Sequence, residues 1–218
     1  MLTAFVTATS YNNKKDTIIM GKKTLSINPI ILKGGWTCGW ALDYHTISSR
    51  YDKSGRYYKT VRTDLGEALY RLKYRRRWWW AKIIARTAAR FLDERDIIDE
   101  VDLITTIPPA RFRFLFQPVS MIVKRIGKLL DVPVNTRLLK RKKKVPPVKY
   151  MEDRSERFES VRGLFLLRSE GLAGRNILIF DDLYRSGATL AEAVATLKTD
   201  GEAGKIYVLT VTRTRVNR

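Results

Sequence analysis

The residues best suited to chemistry lie in the segment "NILIFDDLYRSGATLAEA", which runs from Asn176 to Ala193. Its apolar run predicts a buried strand, and open α/β sheets bind ligands at the carboxyl ends of their strands. Asp181 and Asp182 follow the run directly, so we expect two carboxylates at that edge of the sheet. Carboxylate oxygens accept hydrogen bonds from sugar hydroxyls, or bind them through Mg²⁺.

A turn of small and polar residues separates the acids from a helical pattern led by Leu190. A turn that enters a helix presents free N–H groups and the positive dipole end, which suit a phosphate group. Because carboxylates repel phosphate, the acids must serve another part of the ligand, and a phosphorylated ribose satisfies both halves. A plain strand–turn–helix with an acidic cap is the alternative. In this turn Gly187 permits close backbone approach to a phosphate, and Ser186 and Thr189 can add hydroxyl donors.

The surrounding elements alternate between strands and helices. "LITTI", "GLFLL", "NILIF" and "KIYVLTVTRT" resemble strands, whereas "VSMIVKRIGKLL" and "ATLAEAVATLK" carry apolar residues at helical spacing. This alternation over residues 64–218 predicts an α/β fold, with a mainly parallel sheet and flanking helices. A helical stretch starts near Thr63, where Asp64 and Glu67 resemble a capping box, and a break near Arg77 would divide it into two helices.

The first 62 residues differ in character from the rest. Short runs such as "TAFVTATSY", "TIIM" and "GWALDYHTI" alternate with turn-forming segments, which favours a small meander or a pair of hairpins. We therefore predict a β-rich N-terminal region over residues 1–62 and one domain over residues 63–218. Cys38 is the only cysteine of the chain, so neither an internal disulfide nor a cysteine-based zinc site is expected.

The charge of the chain indicates an anionic partner. There are 42 Lys and Arg residues against 22 Asp and Glu residues, which gives a formal net charge of +20. Such an excess favours nucleic acid, phosphorylated small molecules or an anionic surface, with a solvated basic surface as the alternative. The residues predicted to contact nucleic acid are Arg75, Arg76, Arg77, Lys142, Lys143 and Lys144.

Three tryptophans follow the first basic cluster, in "YRRRWWW". Aromatic rings beside cations can stack on the bases of a single strand. Consecutive helical residues point about 100° apart, however, so at least one ring is expected in the core. We favour core or interface positions over base stacking.

Two features bear on location. No apolar stretch approaches the roughly 20 residues of a membrane-spanning helix, and no basic segment precedes the first apolar residues as in a secretory signal. Together with the single cysteine, these features lead us to expect a cytoplasmic protein without a membrane partner.

The segment "ILIFDDLYRSGAT" resembles the motif with which type I phosphoribosyltransferases bind phosphoribosyl pyrophosphate (PRPP). That motif is an apolar strand, two acids, a few residues and then Thr-Gly-x-Thr or a close variant. The resemblance implies that Asp181 and Asp182 bind the ribose hydroxyls. It also implies that the 5′-phosphate is surrounded by the loop residues Arg185, Ser186, Gly187, Ala188 and Thr189. We expect Mg²⁺ as the cofactor, contacting the two aspartates through water.

Residues 63–215 are similar to the ComF-like competence proteins, one branch of that family. The segments "LGEALYRLKYRRRWWWAKIIA", "DLITTIPPARFRFLFQP" and "LLKRKKKVPPVKYMEDRSERFESVRGLF" precede the PRPP motif in the order found there. Region 1–62 stands in place of the cysteine-rich zinc-binding segment with which such proteins begin. Val145, Val148 and Ser160 replace the usual Thr, Gln and Asn, and these losses put turnover in question.

The implied reaction replaces pyrophosphate on the ribose with a nitrogen nucleophile, through an oxocarbenium-like transition state. Cations near the leaving pyrophosphate would supply much of the catalysis. Arg111 and Arg113, just after the strand that ends at Pro108, are placed for this role, and loop 140–144 could close as a lid. The predicted catalytic residues are Asp181, Asp182, Arg111 and Arg113.

Two functions stay open at this point. The first is a ComF-like phosphoribosyltransferase that binds PRPP with Mg²⁺ and also contacts nucleic acid. The second is a nucleic-acid-binding subunit that keeps the fold with little catalysis and serves DNA uptake or an anti-phage, retron-type complex. A protein partner or a homo-oligomer is compatible with both.

Overall fold

The computed structural model describes residues 23–51, 58–110, 117–142 and 154–215. The strands are β1 (Ile30–Ile31), β2 (Cys38–Tyr44), β3 (Thr46–Tyr51), β4 (Tyr58–Arg62), β5 (Leu103–Thr106), β6 (Val134–Asn135), β7 (Leu139–Arg141), β8 (Phe165–Leu167), β9 (Ile177–Tyr184) and β10 (Ile206–Arg213). The α-helices are α1 (Asp64–Arg75), α2 (Trp79–Asp93), α3 (Pro118–Leu130), α4 (Arg154–Val161) and α5 (Ala188–Thr199). Within these ranges no helix is both long enough and apolar enough to span a bilayer.

Six strands form a central sheet in the order β1-β2-β10-β9-β5-β6. β1 is antiparallel to β2, and the four remaining neighbour pairs are parallel. Two small antiparallel sheets, β3–β4 and β7–β8, accompany it. The predicted α/β class with a mainly parallel sheet and flanking helices is confirmed.

The central strands are covered by apolar side chains on both faces. In β9, Leu178 and Phe180 pack with residues of α1, α2 and α3, whereas Ile177 and Ile179 pack with residues of α5. Successive strand residues point to opposite faces, so a strand buried on both sides needs a continuous apolar run. This explains the uninterrupted "ILIF" at the start of β9.

The first helical stretch is divided as its sequence suggested. Arg76 adopts a left-handed conformation with φ of 51°, and the next helix begins at Trp79. The Thr63 hydroxyl caps α1 by accepting a hydrogen bond from the Gly66 N–H at 3.0 Å. Glu67 forms ion pairs with Arg62 and Arg71, so its carboxylate pairs with side chains on the helix surface.

Two strands of region 1–62 belong to the central sheet. β2 runs parallel to β10, from Cys38 beside Tyr207 to Tyr44 beside Arg213, and β1 pairs with the other edge of β2. β3 and β4 form a hairpin outside this sheet, while the segments "TAFVTATSY" and "TIIM" lie outside the described residues. The domain boundary at residue 62 stays a prediction, although the central sheet contains strands from both sides of it.

Candidate functional site

The acidic pair lies inside β9 and not after it. β10 pairs with β9 along its whole length, whereas the pairing with β5 stops at Phe180. Asp181 and Asp182 are therefore held in extended backbone at the carboxyl edge of the sheet. The strand continues past its apolar run because β10 extends the ladder as far as Tyr184.

The two carboxylates lie toward opposite faces of the sheet, since they are consecutive residues of one strand. Asp182 contacts Lys73 of α1, on the face covered by α1, α2 and α3. Asp181 lies toward the face of α5 and interacts electrostatically with Arg141 of β7. Lys73 forms an ion pair with Asp182, and its charge also acts on Asp181.

Lys73 is a site residue that the sequence analysis missed. Its Nζ donates to Asp182 Oδ2 at 2.7 Å. Burial alone would lower the pKa of Lys73, but the nearby carboxylates of Asp182 and Asp181 raise it above its ordinary value. Its position in the sequence could have revealed this role. Lys73 lies four residues after Leu69 and so continues the buried face of α1, where a lysine ammonium needs an acidic partner.

Asp181 is the more unusual of the two acids. Burial and the neighbouring charge of Asp182 raise its pKa to about 7, although the Asp182 N–H donates to its Oδ1 at 2.8 Å. A carboxyl with this pKa changes between neutral and ionised forms near neutral pH. Near neutral pH, little free energy is therefore needed to ionise Asp181, and its carboxylate can then accept hydrogen bonds from ligand hydroxyls.

Arg141 links the end of β5 to the site. Its Nε donates to the Pro108 carbonyl at 2.9 Å, and its guanidinium lies 5.4 Å from the centre of the Phe165 ring. Burial lowers the pKa of Arg141, while the charge of Asp181 raises it. The sequence analysis assigned loop 140–144 to a lid without singling out this residue. Arg111 and Arg113 lie outside the described residues, so their predicted role stays a prediction.

The turn after β9 enters α5 as predicted. Gly187 has φ of 83° and precedes the first helical residue, Ala188. A Cβ at Gly187 would meet the Tyr184 hydroxyl at 2.5 Å, so both the conformation and the space require glycine. Ser186 Oγ accepts a long hydrogen bond, 3.4 Å, from the Ala188 N–H. Arg185 is exposed, and Thr189 is half-buried beside the helix start.

His45 lies near the Lys73 side of the pair. Its Nδ1 is 3.1 Å from Thr212 Oγ1, and that hydroxyl donates to the main-chain oxygen of Asp182 at 3.4 Å. Burial and then the charges of Arg62 and Lys73 lower the pKa of His45, which keeps the imidazole neutral at pH 7.

The first basic cluster lies at the junction of α1 and α2. Arg75, Arg76 and Arg77 are exposed, and Arg77 lies over the Trp79 ring at 5.2 Å. Trp78 and Trp79 are 59% and 54% exposed. Trp80 meets the expectation of a core position, because it packs against the apolar cluster that includes residues of α1, α2 and α3. Trp78 and Trp79 are at the surface because α2 has barely begun there.

The second basic cluster follows β7. Lys142 is exposed, and its N–H donates to the Leu164 carbonyl at 2.8 Å. Lys143 and Lys144 lie outside the described residues. The predicted nucleic-acid contacts of this cluster therefore stay a prediction.

The acidic pair is an incomplete fit for Mg²⁺. In the part of the chain that the structure describes, no group of three or more His, Cys, Asp or Glu residues could hold a metal ion. Asp182 already contacts the Lys73 ammonium, and Asp181 lies toward the other face of the sheet. The predicted Mg²⁺ site therefore stays a prediction.

No protein-family model matches the chain, and no curated protein sequence matches it. Solved phosphoribosyltransferases are similar in structure at low identity. A hypoxanthine phosphoribosyltransferase from Staphylococcus aureus is 12% identical, with a TM-score of 0.39 over 60% of this chain, and the match spans only 61% of that enzyme. An adenine phosphoribosyltransferase from Saccharomyces cerevisiae is 15% identical, with a TM-score of 0.43 over 75% of this chain and 82% of the other. A purine phosphoribosyltransferase from Pyrococcus horikoshii is 18% identical, with a TM-score of 0.38 over 63% and 85%.

Proposed function

We propose that the protein binds a phosphoribosyl ligand such as PRPP at the carboxyl edge of β9. The 5-phosphate would lie against the turn Arg185–Thr189, and the ribose hydroxyls would donate to Asp181. Transfer of the phosphoribosyl group to a nitrogen nucleophile, with release of pyrophosphate, is part of this proposal. A ComF-like relationship is also part of it and rests on the four sequence segments alone.

One observation carries the proposal. A half-buried carboxylate, Asp181, and a turn with a left-handed glycine, Gly187, follow one another within β9 and the start of α5. Both are on the face of the sheet that α5 covers. The helix start offers N–H groups and the positive dipole end to a phosphate, and the carboxylate accepts from a diol.

The cations around the site suit a multiply charged ligand. Arg185 is exposed beside the turn, and Arg141 lies close enough to Asp181 to shift its pKa. A departing pyrophosphate gains negative charge, so fixed cations would stabilise the transition state more than the ground state. The predicted pyrophosphate contacts of Arg111 and Arg113 belong to the same proposal.

The proposal is tested with Gly187→Ala. The new methyl group meets Tyr184 and strains a positive φ, so we expect PRPP affinity to fall at least about tenfold in calorimetry. Gly171→Ala is the matched control, because Gly171 has φ of 73° but open space around its Cβ. A folded Gly187→Ala protein that binds PRPP as the wild type does would contradict a phosphate site at this turn. A pyrophosphate-release assay with candidate nucleophiles then separates binding from transfer.

A second candidate function is single-stranded nucleic-acid binding at the α1–α2 junction. The exposure of Trp78 and Trp79 beside three exposed arginines is the observation that favours it. Stacking on aromatic rings and contacts of arginines with phosphates are the usual components of such sites. The net charge of +20 favours the same class of partner.

Two sets of changes test this surface with an oligothymidine probe. Trp78→Ala with Trp79→Ala should weaken binding by about tenfold and leave the salt dependence unchanged. Changing Arg75, Arg76 and Arg77 to Gln should instead flatten the salt dependence by about two units of log–log slope. The control removes three exposed charges from α3, with Lys124, Arg125 and Lys128 changed to Gln. If the control lowers affinity and salt slope equally, binding is non-specific and the proposed surface is wrong.

A further inference from the structure

We infer that the Lys73 ammonium takes the place that a divalent cation would occupy at Asp182, so that the acidic pair serves a phosphoribosyl ligand without a metal bound to the protein. The part that concerns the ligand rests on the proposed function. The part that concerns Lys73 and metal can be tested without any ligand.

The contact itself leaves little room for a metal. Lys73 Nζ is 2.7 Å from Asp182 Oδ2, with side-chain exposures of 30% and 17%. A Mg²⁺ ion lies about 2.1 Å from its oxygen ligands, so binding at this oxygen would put it no more than about 5 Å from the ammonium. Two cations at that distance in a partly buried site repel strongly. A metal would have to displace Lys73 first.

The position of Lys73 is set by its helix. α1 is capped by Thr63 at its start, and its apolar face, which includes Leu65, Leu69 and Leu72, is fully buried. The lysine therefore comes from an anchored helix and not from a loop. Moving it away from Asp182 would leave a carboxylate in a poorly solvated position without its partner.

The second carboxylate does not complete a metal site with the first. Asp181 lies toward the opposite face of the sheet and interacts with Arg141. The described residues contain no group of three or more acidic, His or Cys side chains that could hold a metal. Asp182 is instead paired with the Lys73 ammonium, whose charge also acts on Asp181, and a lysine ammonium keeps two further N–H groups for ligand oxygens.

The first experiment uses Mn²⁺ alone as the probe, with binding to the full chain followed by electron paramagnetic resonance. Lys73→Met should bind Mn²⁺ at least about tenfold more tightly than the wild type, whereas Lys73→Arg should resemble the wild type. Adding Asp182→Asn to Lys73→Met should remove the gain. Lys82→Met, a change of an exposed lysine on α2, is the matched control. Equal Mn²⁺ binding by wild type and Lys73→Met would overturn the inference.

The second experiment needs no variant, so it decides the matter if Lys73→Met does not fold. Ribose 5-phosphate has the phosphate and the diol but no pyrophosphate to carry its own metal. By calorimetry, the wild type should bind it equally well in Mg²⁺ and in a chelator. A loss of about tenfold or more in the chelator overturns the inference and restores the Mg²⁺ prediction. If ribose 5-phosphate and PRPP bind in neither buffer, the proposed function fails, and the Mn²⁺ comparison alone decides the role of Lys73.

Discussion

At the scale of single residues, Asp181 is the group on which the site depends most. It lies in a continuous strand between apolar residues and the turn, with a pKa raised to about 7 by burial and by Asp182. Burial disfavours the ionised carboxylate, so incoming hydrogen-bond donors have more effect there than in water. A group of this kind favours a ligand with hydroxyls over one that presents only anions.

The raised pKa has a consequence for stability. Between pH 4 and pH 7 the folded protein keeps a proton on Asp181 that the unfolded chain has released. The contribution of Asp181 to stability therefore falls as pH rises through this range. The Asp181→Asn protein does not undergo this loss. Its free energy of unfolding, relative to that of the wild type, should therefore increase by roughly 1–3 kcal/mol from pH 5 to pH 8. Urea unfolding at several pH values measures this, with the exposed Asp99→Asn as control; a pH-independent difference would refute the assignment.

At the scale of elements, α1 carries Lys73 and is tied to the sheet at its first turn. The Thr63 hydroxyl accepts from the Gly66 N–H at 3.0 Å and donates to the Tyr44 carbonyl at 2.6 Å. Gly66 allows this approach, because a Cβ there would meet the His45 carbonyl oxygen at 2.0 Å. The Thr63 side chain thus links the end of β2 to the start of α1, and we call this link the β2–α1 joint.

Removal of the Thr63 hydroxyl should loosen this joint. Thr63→Ala loses both hydrogen bonds and should lower the free energy of unfolding by about 1–2 kcal/mol. Thr63→Ser keeps the hydroxyl and should cost no more than about half of that. Chemical denaturation of the three proteins checks the prediction, and equal losses in both variants would show that the methyl group, and not the cap, stabilises the joint.

At the scale of the whole molecule, the sheet joins parts of the chain that are far apart in sequence. β2 contributes Ala41 and Leu42, both fully buried, and covers the edge of β10. Without β2, the long parallel strand β10 would become an exposed apolar edge, which favours aggregation. The central sheet therefore depends on region 1–62 for its stability.

This dependence predicts the behaviour of fragments. A chain of residues 63–218 should lack a cooperative thermal transition, because it loses β1, β2 and the pairing and apolar contacts of β2 with β10. Addition of a separate fragment of residues 1–62 should restore part of the transition, as followed by circular dichroism. A 63–218 fragment that melts like the intact chain would instead support a true domain boundary at residue 62.

Features that depend on neighbouring residues could be predicted from the amino-acid sequence. The apolar run of β9, the left-handed Gly187 and the helical periodicity of α5 are local, so they predicted a buried strand, a turn and a helix start. The alternation of strands and helices was enough to predict an α/β protein with a mainly parallel sheet. The acidic pair and the turn were therefore found without coordinates.

Contacts between residues that are distant in sequence could not be predicted in this way. Lys73 reaches Asp182 across 109 positions of sequence, and β2 takes its place beside β10, near the other end of the chain. Periodicity shows which face of an element is buried but not which element covers it. For that reason the counter-ion of Asp182, the extension of β9 past its apolar run and the exposure of Trp78 and Trp79 could be seen only in the folded chain.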